Sequence, residues 1–375
     1  MDHSFTRRSF LSGAAVTFAG CSGRAKPFSG FAFVANEDGH VVAAVDLNAF
    51  ALVRHVRLDA APTELVSHDA RRVVYALTPS TGTIHEISAT QLRRERWTAL
   101  GGLATHMRLS PRGDSLWVLL NQPLQLVQVR LETMEVLRRI PLPYEPVSFD
   151  LSLDDPCAII SFGSMGSCGL ADLESQRLKI IDCGSPLGAV SFRKDGRQWA
   201  AAHLQKRLLS IFDTVSTRVV VRLPLAMRPD YFCYKADRGQ LFITGEGSDA
   251  VAIVFPFSTQ VDQTVLAGRA PAAMAASPAT PNSPEFLFVT NPQSNQVTII
   301  NIDSRKVVAV AQVGSEPTHV VITPNNQYAL VLNRRSGDMA VILIQSTARK
   351  SRFPAALFTM IPVGSKPVSA VIQAV

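Results

Sequence analysis

The sequence predicts an all-β protein made of one motif that repeats along the chain. A proline, or a residue in its place, is followed by a short apolar strand and a turn at intervals of roughly 42 residues, a period typical of repeat proteins. No long segment has the 3.6-residue hydrophobic period of a helix, and the apolar runs are rich in β-branched residues. The motif begins at Pro62, Ala104, Pro146, Leu187, Pro229, Pro271, Pro317 and Pro367.

Each interval holds four short strands, as the unit that opens at Pro317 illustrates. Its predicted strands cover 318–323, 327–332, 339–344 and 357–362. Pro324-Asn325-Asn326 and Ser336-Gly337 supply the turn residues between them. Four-stranded units that repeat many times are typical of a β-propeller, in which each unit is one blade around a central axis.

The two ends of the chain favour a closed ring over an open solenoid. Residues 31–58 supply three strands, and residues 367–373 supply a single strand. Together they complete one blade and remove the unpaired edges that an open array would leave. We therefore predict a single propeller of eight blades, closed by pairing of the N- and C-terminal strands. Seven blades are the alternative if the weak unit at 232–256 is not a blade.

The composition is not that of a disordered, fibrous or disulfide-dense protein. Of the 375 residues, 47% are hydrophobic and 18% are charged, which fits a folded protein with a large core. Beyond the N-terminus, no apolar run approaches the ~20 residues of a membrane-spanning helix. Basic clusters such as 93–96 and 349–352 lie far apart, which favours solvated turns and strand edges. The alternative to solvated turns is that these clusters attract anionic lipid head groups or cell-wall polymers. We predict no nucleic-acid partner.

Residues 1–21 have the features of an export signal, with a charged start, an apolar stretch over 10–19 and small residues before Cys21. Arg7 and Arg8, followed by Phe10 and Leu11, resemble the twin-arginine signal of proteins that are exported already folded. An ordinary secretory signal is the alternative. Residues 18–21 resemble a lipobox, which implies that Cys21 is acylated and becomes the first residue of the mature chain.

This signal predicts the domain organisation and the location of the protein. The segments are a signal over 1–21, a tether over 22–30 and the propeller over 31–375. The location is periplasmic or otherwise extracytoplasmic, with a lipid anchor at Cys21. Simple cleavage that discards Cys21 is the alternative.

Several segments resemble the Tyr-Val-Thr-Asn (YVTN) β-propeller repeat family. The resemblance is carried by Phe288-Val289-Thr290-Asn291, by 295–303 and by 313–317, with weaker copies at 33–36, 117–121 and 330–333. It covers the chain after the signal and implies the propeller fold. It implies no single function, because such propellers include surface-layer proteins, binding modules, lactonases and redox-enzyme subunits.

The repeated residues have structural explanations. The asparagines that end second strands are expected to bond the backbone of the following turn. They are Asn36, Asn121, Asn291 and Asn333. Gly113, Gly196 and Gly239 are expected to supply positive φ in the turns after first strands.

Four cysteines lie beyond Cys21, and three of them fall in one blade. A turn near Ser175 would bring Cys168 within about one residue of facing Cys183 on the next strand. Export makes a disulfide possible, whereas folding in the reducing cytoplasm before twin-arginine export opposes it. We expect buried free thiols.

The innermost strand of each blade lines the central channel, so equivalent positions form a ring. Two residues past each repeat start the chain has Glu64, His106, Ser148, Ala189, Tyr231, Ala273, His319 and Ser369. Glu64, His106, Tyr231 and His319 are the candidate ligand-binding residues, because they can titrate or bind strongly. An anionic metabolite, a non-covalent tetrapyrrole or a metal ion fits such a ring, and polar lining that binds water is the alternative. We assign no set of metal ligands.

The motifs of well-known reactions are not found in the sequence. There is no nucleophile elbow, no phosphate-binding glycine loop and no zinc-protease helix. Because Cys-x-x-Cys-His is also absent, we expect no covalent c-type haem, and the cofactor is otherwise unknown.

We predict an exported propeller of the cell envelope that binds or scaffolds and does not catalyse. A lactonase-like hydrolase that uses the channel ring is one alternative, and a redox accessory protein that holds a tetrapyrrole is another. The resemblance to lactonases implies Pro-Arg-His at the start of an inner strand. This chain has Ala104-Thr105-His106 and Pro317-Thr318-His319 there, without the arginine.

Two repeats contain insertions. One insertion, 277–284, lies between the first and second strands of its unit, and the other, 345–356, lies between the third and fourth strands of the next. In a meander both connections leave by the same edge, so we expect both on one face of the ring. We predict that this face contacts an envelope protein or an anionic envelope component; neutral decoration is the alternative. We expect a monomer.

Overall fold

The computed structural model describes residues 28–255, 260–280, 284–344 and 357–375. Within these residues 32 strands form eight four-stranded antiparallel sheets. The predicted all-β propeller of eight blades is therefore confirmed, including the short-stranded unit at 232–256. The helical elements of the described part are two 3-10 turns, Asp69–Arg71 and Gly163–Met165, and no helix there is long and apolar enough to cross a membrane.

The first four blades in chain order have the following strands. Blade 1 contains β1 (Gly30–Asn36), β2 (Val41–Asp46), β3 (Ala51–Arg57) and β32 (Pro367–Ala374). Blade 2 contains β4 (Glu64–His68), β5 (Val73–Thr78), β6 (Thr83–Ser88) and β7 (Arg93–Ala99). Blade 3 contains β8 (Leu103–Leu109), β9 (Ser115–Gln122), β10 (Leu124–Arg130) and β11 (Val136–Pro141). Blade 4 contains β12 (Ser148–Leu151), β13 (Cys157–Phe162), β14 (Ser167–Asp172) and β15 (Leu178–Asp182).

The remaining four blades complete the ring. Blade 5 contains β16 (Leu187–Phe192), β17 (Gln198–His203), β18 (Leu208–Asp213) and β19 (Val219–Pro224). Blade 6 contains β20 (Tyr231–Tyr234), β21 (Leu241–Thr244), β22 (Ala250–Phe255) and β23 (Gln260–Leu266). Blade 7 contains β24 (Met274–Ala276), β25 (Phe286–Asn291), β26 (Gln296–Asn301) and β27 (Lys306–Gln312). Blade 8 contains β28 (Pro317–Ile322), β29 (Tyr328–Asn333), β30 (Asp338–Leu343) and β31 (Leu357–Pro362).

Each blade is a meander that runs outwards from an inner strand at the axis to an outer strand at the rim. We call the side of the ring that carries the connections between blades, and between second and third strands, the upper face. The lower face carries the connections between first and second strands and between third and fourth strands. Because successive strands are antiparallel, all connections of one kind leave by the same face.

Blade 1 closes the ring by pairing the two ends of the propeller. β32 is its inner strand and pairs antiparallel with β1, from Gly30 opposite Ala374 to Asn36 opposite Pro367. This pairing confirms the predicted closure, because it gives blade 1 its fourth strand and covers the edge of β1. Phe28 is buried and Gly30 already belongs to β1, so part of the segment 22–30 lies against the propeller.

The core lies between neighbouring blades, because both faces of each sheet pack against another sheet. Every residue of β5 and of β6 is buried, whereas β7 is mostly exposed. Tyr75 of blade 2 packs in one cluster with Leu116 and Val118 of blade 3, and the same kind of cluster recurs around the ring. The middle strands are therefore apolar on both faces, while the outer strands meet solvent.

The repeated asparagines connect elements in a way that differs from the prediction. Asn36 Nδ2 donates to the Val363 carbonyl at 3.1 Å, and Asn291 Oδ1 accepts from Gly268 N at 2.9 Å. Both backbone partners lie in the connection that enters the blade from the previous one, not in the following turn. In these two blades the asparagine therefore fixes the path into the inner strand.

The predicted turn glycines are partly confirmed. Gly113 and Gly196 have φ values of 71° and 63°, in the left-handed region that favours glycine. Gly239 was expected to do the same and does not. Arg238 has the positive φ of that turn, 57°, because the turn residue falls one position earlier.

The four cysteines of the described region are free thiols, as expected, although Cys157 and Cys233 are half-buried where buried thiols were expected. Cys168 lies opposite Ile181 of β15, and Cys183 follows directly after that strand ends at Asp182. Both are buried. Burial, together with contact with Cys183, raises the pKa of the Cys168 thiol well above its usual range.

Several predictions fall wholly or partly outside the described residues. They concern the signal motif at Arg7 and Arg8, lipidation at Cys21, the insertion 345–356 and the part 281–283 of the other insertion. The strand order does put the connections β24–β25 and β30–β31 on the lower face, because they join first to second and third to fourth strands.

Candidate ligand site at the central channel

The eight ring positions lie on the inner strands, except Ala273, which lies one residue before β24. Five consecutive blades, 8, 1, 2, 3 and 4, supply one arc of polar residues, in the order His319, Ser369, Glu64, His106 and Ser148. Tyr231 belongs to blade 6, which is opposite blade 2 in a ring of eight. Three of the four candidate residues therefore share one side of the channel, and Tyr231 is on the opposite wall.

Side chains of the inner strands join neighbouring blades, because each inner strand presents an unpaired backbone edge to the channel. Glu64 Oε2 accepts a 2.6 Å hydrogen bond from Met107 N of the next blade. Ser369 Oγ accepts a 3.3 Å bond from Leu65 N in the same way. A buried N–H that lacks an acceptor costs roughly 1–3 kcal/mol. Glu64 and Ser369 therefore stabilise the ring, whatever else they do.

Glu64, His106 and Arg108 form a charged cluster on the arc. Arg108 Nη1 donates to Glu64 Oε1 at 2.6 Å, and His106 Nδ1 lies 3.8 Å from Glu64 Oε2. Burial opposes ionisation of Glu64, but His106, Arg108 and the Met107 N–H together outweigh it and hold the pKa of Glu64 below its usual value. The carboxylate is thus ionised at neutral pH. The side chains of His106 and Arg108 remain 40% and 43% exposed, respectively.

His319, at the other end of the arc, is in a different environment. Burial lowers the pKa of its imidazole, and a hydrogen bond to the backbone of Ala370 only partly opposes this effect. Its Nε2 is buried without a hydrogen-bond partner. His319 is therefore a neutral imidazole with one free nitrogen. The structure brings Glu64 and His106 into contact, whereas His319 bonds the adjacent inner strand.

Tyr231 is the most open of the four candidates, with 44% of the residue exposed. Partial burial and the nearby Asp230 raise the pKa of its phenol, so the hydroxyl is protonated at neutral pH. Asp230 is itself bonded to Arg228, whose Nε lies 2.6 Å from its Oδ1. The opposite wall therefore offers a neutral hydroxyl beside an ion pair.

Sequence reasoning missed Arg108 and Asp150. Both lie four residues past a repeat start and two residues past a ring position, so they share the side of the strand that the ring residues use. Asp150 Oδ2 accepts hydrogen bonds from Phe192 N at 2.8 Å and from Ser191 Oγ at 2.9 Å, which joins blades 4 and 5. They could have been found by comparing the positions four residues past each repeat start, which form a second ring along the inner strands.

The arc is not arranged as a metal site in the described part of the chain. No group of three or more His, Cys, Asp or Glu side chains there is close enough to hold an ion. Glu64 and His106 are a pair, and the third polar partner of Glu64 is a guanidinium, which repels cations.

A Ser–His pair lies buried at the upper face of blade 5. Ser185 Oγ and His203 Nδ1 are 2.6 Å apart, and His203 occupies the strand end where other blades have asparagine. Burial, aided by Lys206 and Arg222, lowers the pKa of His203 to about 4. A general base functions best with a pKa near the working pH, so this pair is poorly suited to activate Ser185 for hydrolysis.

A cleft of about 830 Å³ opens on the lower face, away from the predicted ring. Its walls come mainly from blades 3 and 4 and mix arginines, carboxylates and apolar side chains. They include Trp117, Arg130, Arg138, Leu153, Asp154 and Glu174. The cleft therefore carries charges of both signs.

Comparison with known proteins identifies the fold and no family. No family model matches the sequence, and no curated protein matches it significantly. Among solved structures, the chain is similar to the dihydro-heme d1 dehydrogenase NirN in complex with DHE, with a TM-score of 0.76 and 14% identity over 95% of this chain and 78% of that chain. Apo AztD from Citrobacter koseri has a TM-score of 0.69 and 13% identity over 92% of this chain and 99% of that chain.

A third similar structure is the hydrazine synthase of Kuenenia stuttgartiensis. It has a TM-score of 0.57 and 15% identity over 87% of this chain and 98% of that chain. At such low identity these likenesses establish the β-propeller architecture alone. Function in such a fold depends on the residues of the site.

Proposed function

We propose that the chain is an exported binding propeller whose ligand contacts His106 and Arg108 at the channel. One observation carries the proposal. Both side chains remain 40% or more exposed although they project from an inner strand at the centre of the ring. Polar groups left open within walls of protein are typical of a binding site. The neighbouring carboxylate of Glu64 orients the guanidinium through the 2.6 Å bond to Nη1.

The chemistry of this cluster favours an anionic ligand. Arg108 Nη1 is engaged by Glu64 Oε1 and by the Met107 carbonyl. A guanidinium has five N–H donors in a planar fork, so its other edge suits a carboxylate or a phosphate. His106 adds a second donor two residues away on the same strand. Tyr231 on the opposite wall adds a neutral hydroxyl for the far end of a larger ligand.

A tetrapyrrole is the second candidate ligand, and His319 favours it. A neutral imidazole is the form that ligates iron, and His319 is neutral with an unpartnered Nε2, which is buried and would have to turn towards the channel to reach the metal. NirN, which shares the fold at low identity, is a dihydro-heme d1 dehydrogenase. The propionates of such a ring would also suit Arg108. In this case the chain would serve as a redox accessory protein.

The location and the partner face belong to the same proposal. Arg7 and Arg8 support export by the twin-arginine route, and Cys21 supports a lipid anchor. A folded, anchored propeller suits a binding or scaffold role in the envelope. The lower face, which carries the connections of the two insertions, is the proposed contact with an envelope protein or anionic component.

Native mass spectrometry and absorbance of the purified protein test the proposal. We expect a bound anion whose occupancy falls at least about tenfold in Arg108→Ala and in His106→Ala, because each substitution removes a hydrogen-bond donor to the ligand. His40→Asn is the matched control, because His40 is exposed and has the positive φ that asparagine tolerates. A Soret band that is lost in Arg108→Ala and in His106→Ala would support the tetrapyrrole instead. Lactone turnover by the colourless protein would contradict a non-catalytic role.

A further inference from the structure

The outer strands differ in how much apolar surface they expose at the rim. Those of blades 2 to 6 expose one large apolar side chain each, namely Trp97, Leu137, Ile180, Val220 and Leu266. Those of blades 7, 8 and 1 expose several, namely Val307, Val308 and Val310 on β27, Leu357, Phe358 and Met360 on β31, and Leu52 and Val53 on β3. We call β27, β31 and β3 the apolar rim.

The apolar rim is substantially exposed, and its three strands belong to consecutive blades. Phe358 is 52% exposed and Val53 is 54% exposed. Single exposed apolar residues are ordinary on a protein surface, whereas a group that spans consecutive blades marks an interaction surface. Phe50, at the start of β3, contacts Phe358 with 4.9 Å between ring centroids, so blades 8 and 1 form one continuous patch.

The charges of the apolar rim have one sign. β27, β31 and β3 contain no aspartate or glutamate, and they carry Lys306, Arg54 and Arg57, all exposed. Apolar side chains among cations suit an interface with anionic head groups. They do not suit a symmetric contact between two copies of the chain, which would bring these cations near their own equivalents.

The chain enters the propeller beside this patch. Phe28 packs in the same buried cluster as Tyr328, whose ring lies 6.1 Å from that of Phe358. Six residues separate Cys21 from Phe28, and seven peptide units span at most about 25 Å. An anchor at Cys21 would therefore keep the side of the ring that carries blades 8 and 1 near the membrane.

We propose that the apolar rim docks on the surface of a lipid bilayer, so that the propeller stands on its edge with blades 7, 8 and 1 towards the membrane. The orientation rests on the proposed export and anchoring of the chain. The contact itself rests on the exposed side chains and their charge. In this orientation both mouths of the channel open parallel to the membrane, and both remain accessible from the aqueous side.

Vesicle flotation tests the proposal without the acyl chain. The protein is the exported chain with Cys21→Ser, and the vesicles are phosphatidylethanolamine with phosphatidylglycerol, or phosphatidylcholine alone. We expect binding that is stronger on the anionic vesicles. The triple variant Val53→Glu, Val308→Glu and Phe358→Glu should lower the bound fraction at least about tenfold, because it removes apolar contact and adds charge that anionic lipid repels.

The matched control moves the same three substitutions to the other side of the rim, as Trp97→Glu, Leu137→Glu and Val220→Glu. It should bind like the parent, and melting temperatures check that both variants fold. A second measurement uses Phe358→Trp, whose emission should shift to the blue when vesicles are added. Absence of binding by the parent, or equal loss in both triple variants, would overturn the proposal.

Two further outcomes separate this proposal from others. Concentration-dependent dimers of the parent that the rim variant abolishes, with no vesicle binding, would make the apolar rim a contact between copies and would overturn membrane docking. His106→Ala should keep full vesicle binding. Vesicle binding by a protein that holds no channel ligand would contradict the proposed function and leave the docking surface in place.

Discussion

The carboxylate of Glu64 accepts a 2.6 Å hydrogen bond from the backbone N–H of Met107, a residue of the neighbouring blade. The same carboxylate binds the Arg108 guanidinium. One side chain therefore supplies, at the axis, the acceptor that a backbone ladder supplies elsewhere in a sheet. A ligand that reached Arg108 would meet a group whose orientation is already fixed.

Removal of this carboxylate should destabilise the protein. Glu64→Ala leaves a backbone N–H and a guanidinium without their acceptor, and we expect a loss of about 2–3 kcal/mol in the free energy of unfolding. Glu64→Gln retains an acceptor for the N–H and should lose about 1 kcal/mol. Because the pKa of Glu64 is lowered in the folded state, the difference between wild type and Glu64→Gln should shrink as the pH falls through that pKa. Urea unfolding at several pH values measures these losses and their pH dependence. A loss in Glu64→Ala no larger than that in the exposed Glu95→Ala would contradict the structural role of Glu64.

His203 should make stability depend on pH. Its pKa falls from 6.5 to about 4 on folding, so between these values the unfolded chain binds a proton that the folded chain does not. Stability should therefore decrease as the pH falls from 6.5 towards 4, by about 3 kcal/mol in total. His203→Asn, which restores the asparagine of other blades, should make the profile less steep in this range, where the lowered pKa values of His85 and His319 keep their own contributions. An unchanged profile in urea unfolding would show that other groups control it.

Closure of the ring should depend on β32. Deletion of residues 367–375 removes the inner strand of blade 1 and exposes the edge of β1, which pairs with it from Gly30 to Asn36. We expect aggregation and a large fall in melting temperature, because an unpaired strand edge promotes association. Deletion of Val375 alone is the control and should leave both unchanged. A monomeric truncated protein with the parental melting temperature would argue against closure by this strand.

Export should depend on the arginine pair of the signal. Substitution of Arg7 and Arg8 by lysine keeps the charge and removes the two side chains that carry the resemblance to a twin-arginine signal. We expect precursor to accumulate in the cytoplasm, measured by fractionation and immunoblotting. Arg24→Lys, outside the motif, should have no effect. Export of the double variant at the parental rate would indicate an ordinary secretory signal.

The sequence predicted the local architecture well, because a blade is coded by its own residues. The strands expected at 318–323, 327–332 and 339–344 are observed within one residue, as Pro317–Ile322, Tyr328–Asn333 and Asp338–Leu343. Alternation, turn residues and strand length all act over a few neighbours. The unpaired strands at the two ends also predicted closure, since a single strand needs a partner.

The site was predicted less completely, because its contacts cross between blades. Nothing near Arg108 in sequence indicates that its partner is Glu64, 44 residues earlier. The hydrogen bond from Asn36 to Val363 joins residues that are 327 positions apart in the sequence. Such pairings depend on how sheets twist and pack around the axis, and a single sequence contains no direct signal of them.

Blade 1 is built from strands of both ends of the propeller, and this determines when the native ring can form. Three of its strands are synthesised before the other seven blades, and its inner strand is synthesised after them. A nascent chain can fold blades 2 to 8 in turn, but the first three strands wait with an open edge until β32 leaves the ribosome. The final pairing joins residues more than three hundred positions apart, so blade 1 cannot be completed before the end of synthesis. A chain interrupted during translation would lack β32, and its ring would remain open at blade 1.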